Sequence, residues 1–396
     1  MLQTSKQGGS SENKYWYVSF SELNNDYNLN TLIQNAANWT TMDSEVLQNF
    51  DYKRFRTELT LADPPPSNLA NLCNDMSVAE QVLELLLHDR YRSGSRNYVT
   101  DYKANFISKI EQAIADGRPV DLVIPSFPGR EVNPIARTRP QLHLGEIAAM
   151  CRFAEMAEIS KRIYEPGIRF IIVSDGVCYA PFYGDPVAGA LQYRETLKQT
   201  IEKLGVSQYI ILEDLQDIID ERKEEFQQIY AEVKNEIKEV WSDPEYLFRD
   251  KLSVTMRMGT QSSALNAAVV HLIKFMEESE SDLEILREMR AAIKKSSERT
   301  AFIYQCLLIT MRRMELLDRR FPDAIRSTVH PKDSQYSPYL LNEYTTVSPW
   351  HGVPIMRPNG RIDVVYEAVV LSEPNRYSAV YLPGEVTPFF YKEKLV

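Results

Sequence analysis

The 396 residues carry 45 Lys and Arg against 55 Asp and Glu, for a net charge of -10, and 44% are hydrophobic and 25% charged. This is the composition of a soluble globular chain with apolar material for a sizeable core, enough for two to three domain-sized units or one large α/β domain with additions. The acidic balance argues against general nucleic-acid binding and against adhesion to anionic membranes; a small anionic ligand in a locally basic pocket stays open.

Residues 1–13 read as a polar, disordered tail, with no apolar signal core, and no run of about 18 apolar residues occurs in the chain. A cytoplasmic protein is expected. Cys73, Cys151, Cys178 and Cys306 lie far apart without a CxxC or Cys/His cluster, so they read as free thiols in a reducing compartment. "LADPPPS" (61–67) is a stiff linker. "SVAEQVLELLLHD" (77–89) opens with Ser77 and Glu80 in capping-box spacing, and "YKANFISKIEQAIADG" (102–117) is an amphipathic helix ending at Gly117.

From residue 118 the pattern alternates. "VDLVIPSF" reads as a short buried strand and "LGEIAAMCRFAEMAEISKRIY" (144–164) as a strongly periodic helix. "IRFIIVSDG" (168–176) is a strand ending in a turn, "VAGALQYRETLKQTIEKLG" (187–205) a helix, and "SQYIILEDL" (207–215) a third strand. Such alternation predicts a parallel sheet covered by helices, an α/β Rossmann-like fold. Residues 214–320 read as mostly helical, with one charged helix over 217–241 and another over 301–322 stopped by Pro322. Beyond residue 336, "RIDVVYEAVVL" and "YSAVYLP" suggest a small C-terminal β addition. The division expected is a tail and linker over 1–66 and an α/β domain over 67–396, with the helical segment at about 214–320 inserted in it.

Ligands of parallel α/β sheets collect outside the carboxyl ends of the strands. There "PSFPGREVNP" presents Arg130 and Asn133, and "SDGVCY" presents Ser174 and Asp175, although Asp-Gly is also a common turn pair. His330, before Pro331, and His351, after Trp350, stand in Pro-bounded stretches, and His transfers protons near neutral pH. No HxH or HExxH pair, GxGxxG, GxxxxGK[ST] or GxSxG is present.

Taken together, "IPSFPGREVN", "LGE" (144–146), "YEPGIRFIIVSDGVCY" (164–179), "FPDAIRSTVHP" (321–331) and "SPWHGVPI" (348–355) resemble the isonitrile synthases related to the pyoverdine/dityrosine biosynthesis proteins. The order and spacing agree over roughly 118–370. Two departures stand out. Arg130 and Glu131 occupy the place of a typical lysine and serine, and His143 stands near a typical acidic position. The resemblance implies an enzyme that converts the α-amine of an L-amino acid, tyrosine favoured and tryptophan next, to an isonitrile. The new carbon would come from ribulose 5-phosphate, with no metal or organic cofactor. A pathway iron/2-oxoglutarate oxygenase is an implied partner. That chemistry asks for a phosphate clamp, for which Arg130 is proposed with Arg137, Arg139 or Lys332 as helpers. It asks for proton shuttles, His330 and His351, and for a carboxylate, Asp175 and then Glu146. Asn133 and Ser174 would bond hydroxyls, and Trp350 would wall an aromatic pocket or pack in the core. The same fold acting on a different amine or phosphosugar, or a non-catalytic small-molecule binding protein, are the alternatives.

Overall fold

The structure is a computed structural model; it describes residues 37–38, 41–66, 75–93, 102–129, 139–183, 187–243, 245–246, 249, 252–253, 269, 280–329, 334–345 and 347–395. In chain order the elements are β1 (Ser44–Val46), α1 (Tyr52–Ala62), α2 (Val78–Leu86), α3 (Lys103–Ala115), β2 (Val120–Pro125), α4 (Leu144–Ser160) and β3 (Ile168–Ser174). Next come α5 (Gly176–Tyr183), α6 (Val187–Leu204), β4 (Ile210–Asp214), α7 (Leu215–Asp220), α8 (Lys223–Trp241), α9 (Glu280–Arg313) and α10 (Leu316–Arg320). The chain closes with β5 (Ile325–Arg326), β6 (Val353–Met356), β7 (Ile362–Val365), α11 (Glu367–Ser372), β8 (Tyr377–Tyr381) and β9 (Phe390–Glu393).

The expected α/β fold is present. β2 to β5 form a parallel four-stranded sheet in the order β4-β3-β2-β5. The chain steps outward from β2 through β3 to β4, then returns to the other side of β2 as β5. The strand order therefore reverses between β2 and β5, the point where open α/β sheets place ligands. Strand residues alternate between two apolar layers, as a period of two requires. Leu122, Ile124, Phe170 and Ile172 join the cluster that contains α4, whereas Val123, Ile171 and Val173 join the one that contains α7 and α10.

A second, mixed sheet has the order β1-β8-β9-β6-β7. It holds the C-terminal β addition but is completed by β1, which pairs in parallel with β8. Residues 44–62, expected in the tail and linker region, thus supply a strand and a capped helix. The 1–13 tail lies outside the described residues.

α4 sits between the two sheets, touching β3 and β4 on one side and β6 and β7 on the other. All its residues except Glu155 and Glu158 are buried. Its surface is mostly apolar, as a helix covered on most sides requires, with Glu146, Arg152 and Ser160 buried among the apolar residues, and Gly145, Ala148, Ala149, Ala154 and Ala157 keep it slim. Phe153 stacks on Phe170 of β3 with centroids 4.2 Å apart.

Three expected elements differ in detail. The helix expected over 217–241 breaks at Glu221–Arg222 into α7 and α8. The helix expected over 301–322 is the end of the longer α9, and it breaks at Glu315, whose φ of 48° is left-handed and ends the helical ladder before α10. "EAVVL" continues not as strand but as α11, because a short apolar run suits either state and tertiary packing decides. The capping box at Ser77 and Glu80 is formed as its spacing predicts. Among the described residues, no helix is long and apolar enough to cross a membrane.

Where α4 meets the end of α1, its polar groups form a closed charge network. Arg152 donates to Asp63 at 2.7 Å and to Glu155 at 3.0 Å, and Arg90 contacts the same pair at 3.0 and 2.9 Å. Burial by itself would raise the Asp63 carboxyl, but the bonds and charges of Arg152 and then Arg90 outweigh it and hold it below the ordinary carboxylate value. A carboxyl whose folded pKa is depressed adds stability above its unfolded value of about 3.9, and this is lost as pH falls through the folded value. We expect Asp63→Ala to lower stability at pH 7 by about 2 kcal/mol in urea melts, from lost charge-assisted bonds, and the gap to the parent to shrink as pH falls below about 4. A gap that does not change with pH would remove Asp63 from the network.

Candidate functional site

The site is built at the carboxyl edge of the parallel sheet, where Ser126–Gly129 leaves β2. Tertiary contacts add to the stiffness that Pro128 gives this stretch. Phe127 has a left-handed φ of 55° and Gly129 one of 65°. For a bulky residue such a backbone costs about 1–3 kcal/mol and persists only where its surroundings hold it. Those surroundings are explicit. Ser126 N–H donates to Val173 carbonyl at 3.1 Å, and Ser174 Oγ donates to Phe127 carbonyl at 2.9 Å. The Phe127 ring, fully buried, lies 5.0 Å from Trp350. Gly129 rests on Tyr193 of α6, where an added Cβ would come within 3.1 Å of the ring.

The Asp175–Gly176 pair is not a turn. α5 begins at Gly176, and Asp175 carbonyl accepts the helical bond of Tyr179 N–H at 3.1 Å. Gly176 is required for a different reason: a Cβ there would lie 1.5 Å from Pro128 carbonyl oxygen. A backbone approach this close admits only glycine. Asp175 therefore stands at the start of a helix, directly beside the β2 loop.

The other walls come from α4 and the Trp350 segment. His143 caps α4, and its backbone N–H donates to Glu146 Oε2 at 2.8 Å. Glu146 Oε1 accepts from Tyr193 hydroxyl at 3.0 Å, and His143 Nε2 lies 2.9 Å from Gly352 carbonyl. Gly352 follows the 3-10 turn Pro349–His351 that carries Trp350 and His351.

The chain belongs to the pyoverdine/dityrosine biosynthesis protein family. The model of that family matches residues 110–376. An L-tyrosine isonitrile synthase of Pseudomonas aeruginosa is 24% identical over 306 residues, covering 72% of this chain and 86% of the relative. One from Xenorhabdus nematophila is 21% identical over 293 residues, 70% of this chain and 81% of the relative. An L-tryptophan isonitrile synthase of Fischerella ambigua is 20% identical over 266 residues, 65% and 76% of the two chains. The crystal structure of the PvcA protein from Pseudomonas aeruginosa shares the fold, with a TM-score of 0.62, 18% identity, and cover of 80% of this chain and all of that one.

Within this family member the expected site residues separate into groups. Ser174, Asp175, Glu146, Trp350 and His351 lie on segments that meet around the β2 loop. Ser174 is spent on the loop's own carbonyl, and Trp350 is 3% exposed against Phe127, so both brace the site instead of lining it. Glu146 is fully buried. His351 is half-buried, 6.2 Å from the Trp350 ring. Arg139 is turned away from this group; its guanidinium donates to Leu142 carbonyl, Glu385 and Thr387 and packs on Phe389, which ties the α4 entry to the mixed sheet. Arg130, Asn133, Arg137, His330 and Lys332 lie outside the described residues. Among the described residues no cluster of His, Cys, Asp and Glu is placed to hold a metal.

Sequence reasoning missed Tyr193 and Asp214. Asp214 pairs in register with Ser174 at the end of β4, accepts from Gln216 N–H at 2.8 Å and holds Arg194 at 2.9 Å. Its signal was legible, since "IILED" places a carboxylate after an apolar run as "FIIVSD" does. Tyr193 had none, because its role depends on α6 crossing over Gly129. Cys178 lies in the field of these carboxylates. Burial first, then Asp175, Asp214 and Asp220, push its thiol up to about 12. Burial likewise raises Cys151 to about 12 and Cys306 to about 11.

Two outcomes follow from this packing. Thiols with such values are inert at neutral pH, so iodoacetamide at pH 7.5 should leave Cys151, Cys178 and Cys306 unmodified in the native chain, as read by peptide mass spectrometry. Rapid native labelling of Cys178 would contradict the burial. Gly176→Ala should displace the β2 loop and lower stability by about 1–3 kcal/mol. Gly189→Ala in α6, where an added Cβ meets nothing within 4 Å, should instead be neutral or stabilising by up to about 1 kcal/mol. Equal melting temperatures for the two variants would show that the Gly176 contact carries no strain.

Proposed function

We propose that this chain is an isonitrile synthase. It acts on the α-amine of an L-amino acid, with tyrosine favoured over tryptophan, and takes the new carbon from ribulose 5-phosphate. The observation that carries the reading is topological. The strand order of the parallel sheet reverses between β2 and β5, and the family motifs with Arg130 and His330 directly follow those two strand ends in sequence. The kinship with tyrosine and tryptophan isonitrile synthases supports the reaction class.

In this reading the amine condenses with the sugar ketone to an imine, and proton abstractions, phosphate loss and carbon–carbon cleavage follow. Arg130 supplies fixed positive charge to the phosphate, with Arg137 and Lys332 as helpers, because guanidinium matches phosphate with two parallel bonds. Asp175, at the β3 end and half-buried, is the carboxylate of this reading, beside Gly176, which packs against Pro128 carbonyl of the braced loop. His330 and His351 move protons, and Asn133 orients a sugar hydroxyl. Ser174, Trp350 and Glu146 act through the loop they hold, and Arg139 through the segment that leads into α4. The reading assigns no resident metal or organic cofactor, and it leaves room for a pathway iron/2-oxoglutarate oxygenase that consumes the product.

A second reading rests on Arg130 itself. Where the family typically has lysine, arginine cannot transfer a proton or form an imine. The same fold would then serve a different amine or phosphosugar, or bind one without turning it over.

Incubation of the purified chain with L-tyrosine or L-tryptophan and ribulose 5-phosphate labelled at C2 should give an isonitrile whose terminal carbon carries the label, read by mass spectrometry. Absence of product with any of the common amino acids would sink the first reading, and product from another sugar phosphate alone would select the second. His330→Asn and His351→Asn should each lower turnover by at least about a hundredfold, the usual worth of a general acid or base, while sugar-phosphate affinity is retained. Unchanged turnover would remove that histidine from the mechanism.

A further inference from the structure

We propose that the outer edge of β4 is an interface with a second copy of this chain, the two parallel sheets joining β4 to β4 across a two-fold axis. Among the described residues no strand lies beyond β4. Phe170 N–H donates to Tyr209 carbonyl at 2.8 Å, which sets the phase of the ladder. The odd-numbered residues of β4 turn their backbone groups to β3, and the even-numbered ones turn theirs outward. Ile210 N–H folds back on Val206 carbonyl at 3.1 Å. Ile210 carbonyl, both backbone groups of Leu212 and Asp214 N–H remain on the outer edge without a hydrogen bond inside the chain. Such an edge is a template for pairing, and proteins that keep one free guard it with lysine, proline or a bulge. The strand "IILED" has no lysine and no proline, and it pairs with β3 residue for residue.

The edge is complementary to itself. A two-fold axis at Leu212 sets it opposite the partner's Leu212, and the two residues exchange both of their backbone bonds. Asp214 then faces the partner's Ile210, with Asp214 N–H on the partner's Ile210 carbonyl. Every outward group is satisfied in this register. A shift by two residues would set Leu212 carbonyl against an Ile210 N–H that is already bonded to Val206. There is room for the approach, because a groove of about 380 Å³ runs along the edge between β4 and α6, with Ile210, Leu212 and Asp214 among its lining residues.

The flanking charges agree with the same register, which favours a second copy over an unrelated strand. Arg194 of α6 is level with Asp214, and Val206, just past the end of α6, is level with Ile210. Thr200 therefore stands beside Leu212. The axis lays the two α6 helices antiparallel, with Glu195 facing the partner's Lys203 and Lys198 facing the partner's Glu202. Each of these side chains belongs to an exposed residue. The acids of the edge already have cations: Arg194 lies 2.9 Å from Asp214 and 3.4 Å from Asp217, and Arg320 of α10 lies 3.9 Å from Glu213. The copies thus do not meet as acid against acid. Strands run antiparallel across the joint, so the two carboxyl edges, with their candidate sites, lie on opposite sides of the joined sheet.

Sedimentation velocity of the full chain at micromolar concentration should show a species of twice the 45.7 kDa chain mass, with slow hydrogen exchange at Asp214 N–H. L212P should be a monomer with the parental circular dichroism, because the N–H it removes faces outward and not to β3. K198E should raise the dimer dissociation constant about tenfold, as two symmetry-related exposed ion pairs become repulsions, and K198E/E202K should restore it. Should L212P fail to fold, the charge reversal and its restoration decide alone. A monomeric parent overturns the proposal: fast exchange at Asp214 would mean an edge left open, and slow exchange an edge covered by the chain itself. A dimer unmoved by L212P and by K198E lies on another face and overturns it equally. Neither readout depends on isonitrile synthesis.

Discussion

The architecture depends on one helix buried on every side. α4 runs between a parallel sheet and a mixed sheet, so apart from Glu155 and Glu158 neither its apolar nor its polar groups can turn to water. Apolar positions are met by stacking and by small residues that let both sheets close in. Polar positions are the stricter constraint, because an unpaired buried group forfeits its hydration without return. Each one on α4 is accordingly tied to a different part of the chain. Arg152 reaches Asp63 at the end of α1, Glu146 reaches Tyr193 on α6, and the capping His143 reaches Gly352 beside β6. Satisfying the helix and assembling the molecule are one physical problem.

The candidate site inherits its rigidity from that arrangement. The loop after β2 is conformationally costly, with a bulky residue in left-handed geometry and a proline carbonyl pressed against Gly176. Contacts from β3, α5, α6 and the Trp350 turn hold it there. Several residues that look chemical in sequence, Ser174 and Trp350 among them, serve to over-determine this loop. Support of this kind is what a catalytic site in general asks of its scaffold, since misplacement by an ångström costs orders of magnitude in rate.

Membership in the pyoverdine/dityrosine biosynthesis family sets the frame, and the departures from its pattern bear on two levels. In the proposed reading Arg130 would offer a substrate fixed charge and geometry but not the acid–base chemistry of a lysine. His143 changes how the site is braced, because an imidazole at a helix cap bonds in two directions where a carboxylate can only accept.

The sequence by itself determined the strands, the helices that separate them and the parallel Rossmann-like sheet, because hydrophobic period and helix capping are local properties. It also located the strand ends where the family motifs fall. It could not decide that Asp175–Gly176 opens a helix beside the β2 loop, since the close neighbour of Gly176 is Pro128 carbonyl, far away in chain and in contact in space. It could not show that β1 completes the C-terminal sheet, that Arg139 faces Glu385, or that Tyr193 bonds Glu146, because each depends on how layers stack. Short apolar runs such as "EAVVL" were ambiguous for the same reason. Pattern fixes which face of an element is apolar; only the packed tertiary structure decides which polar atoms meet, and the candidate site is made of those meetings.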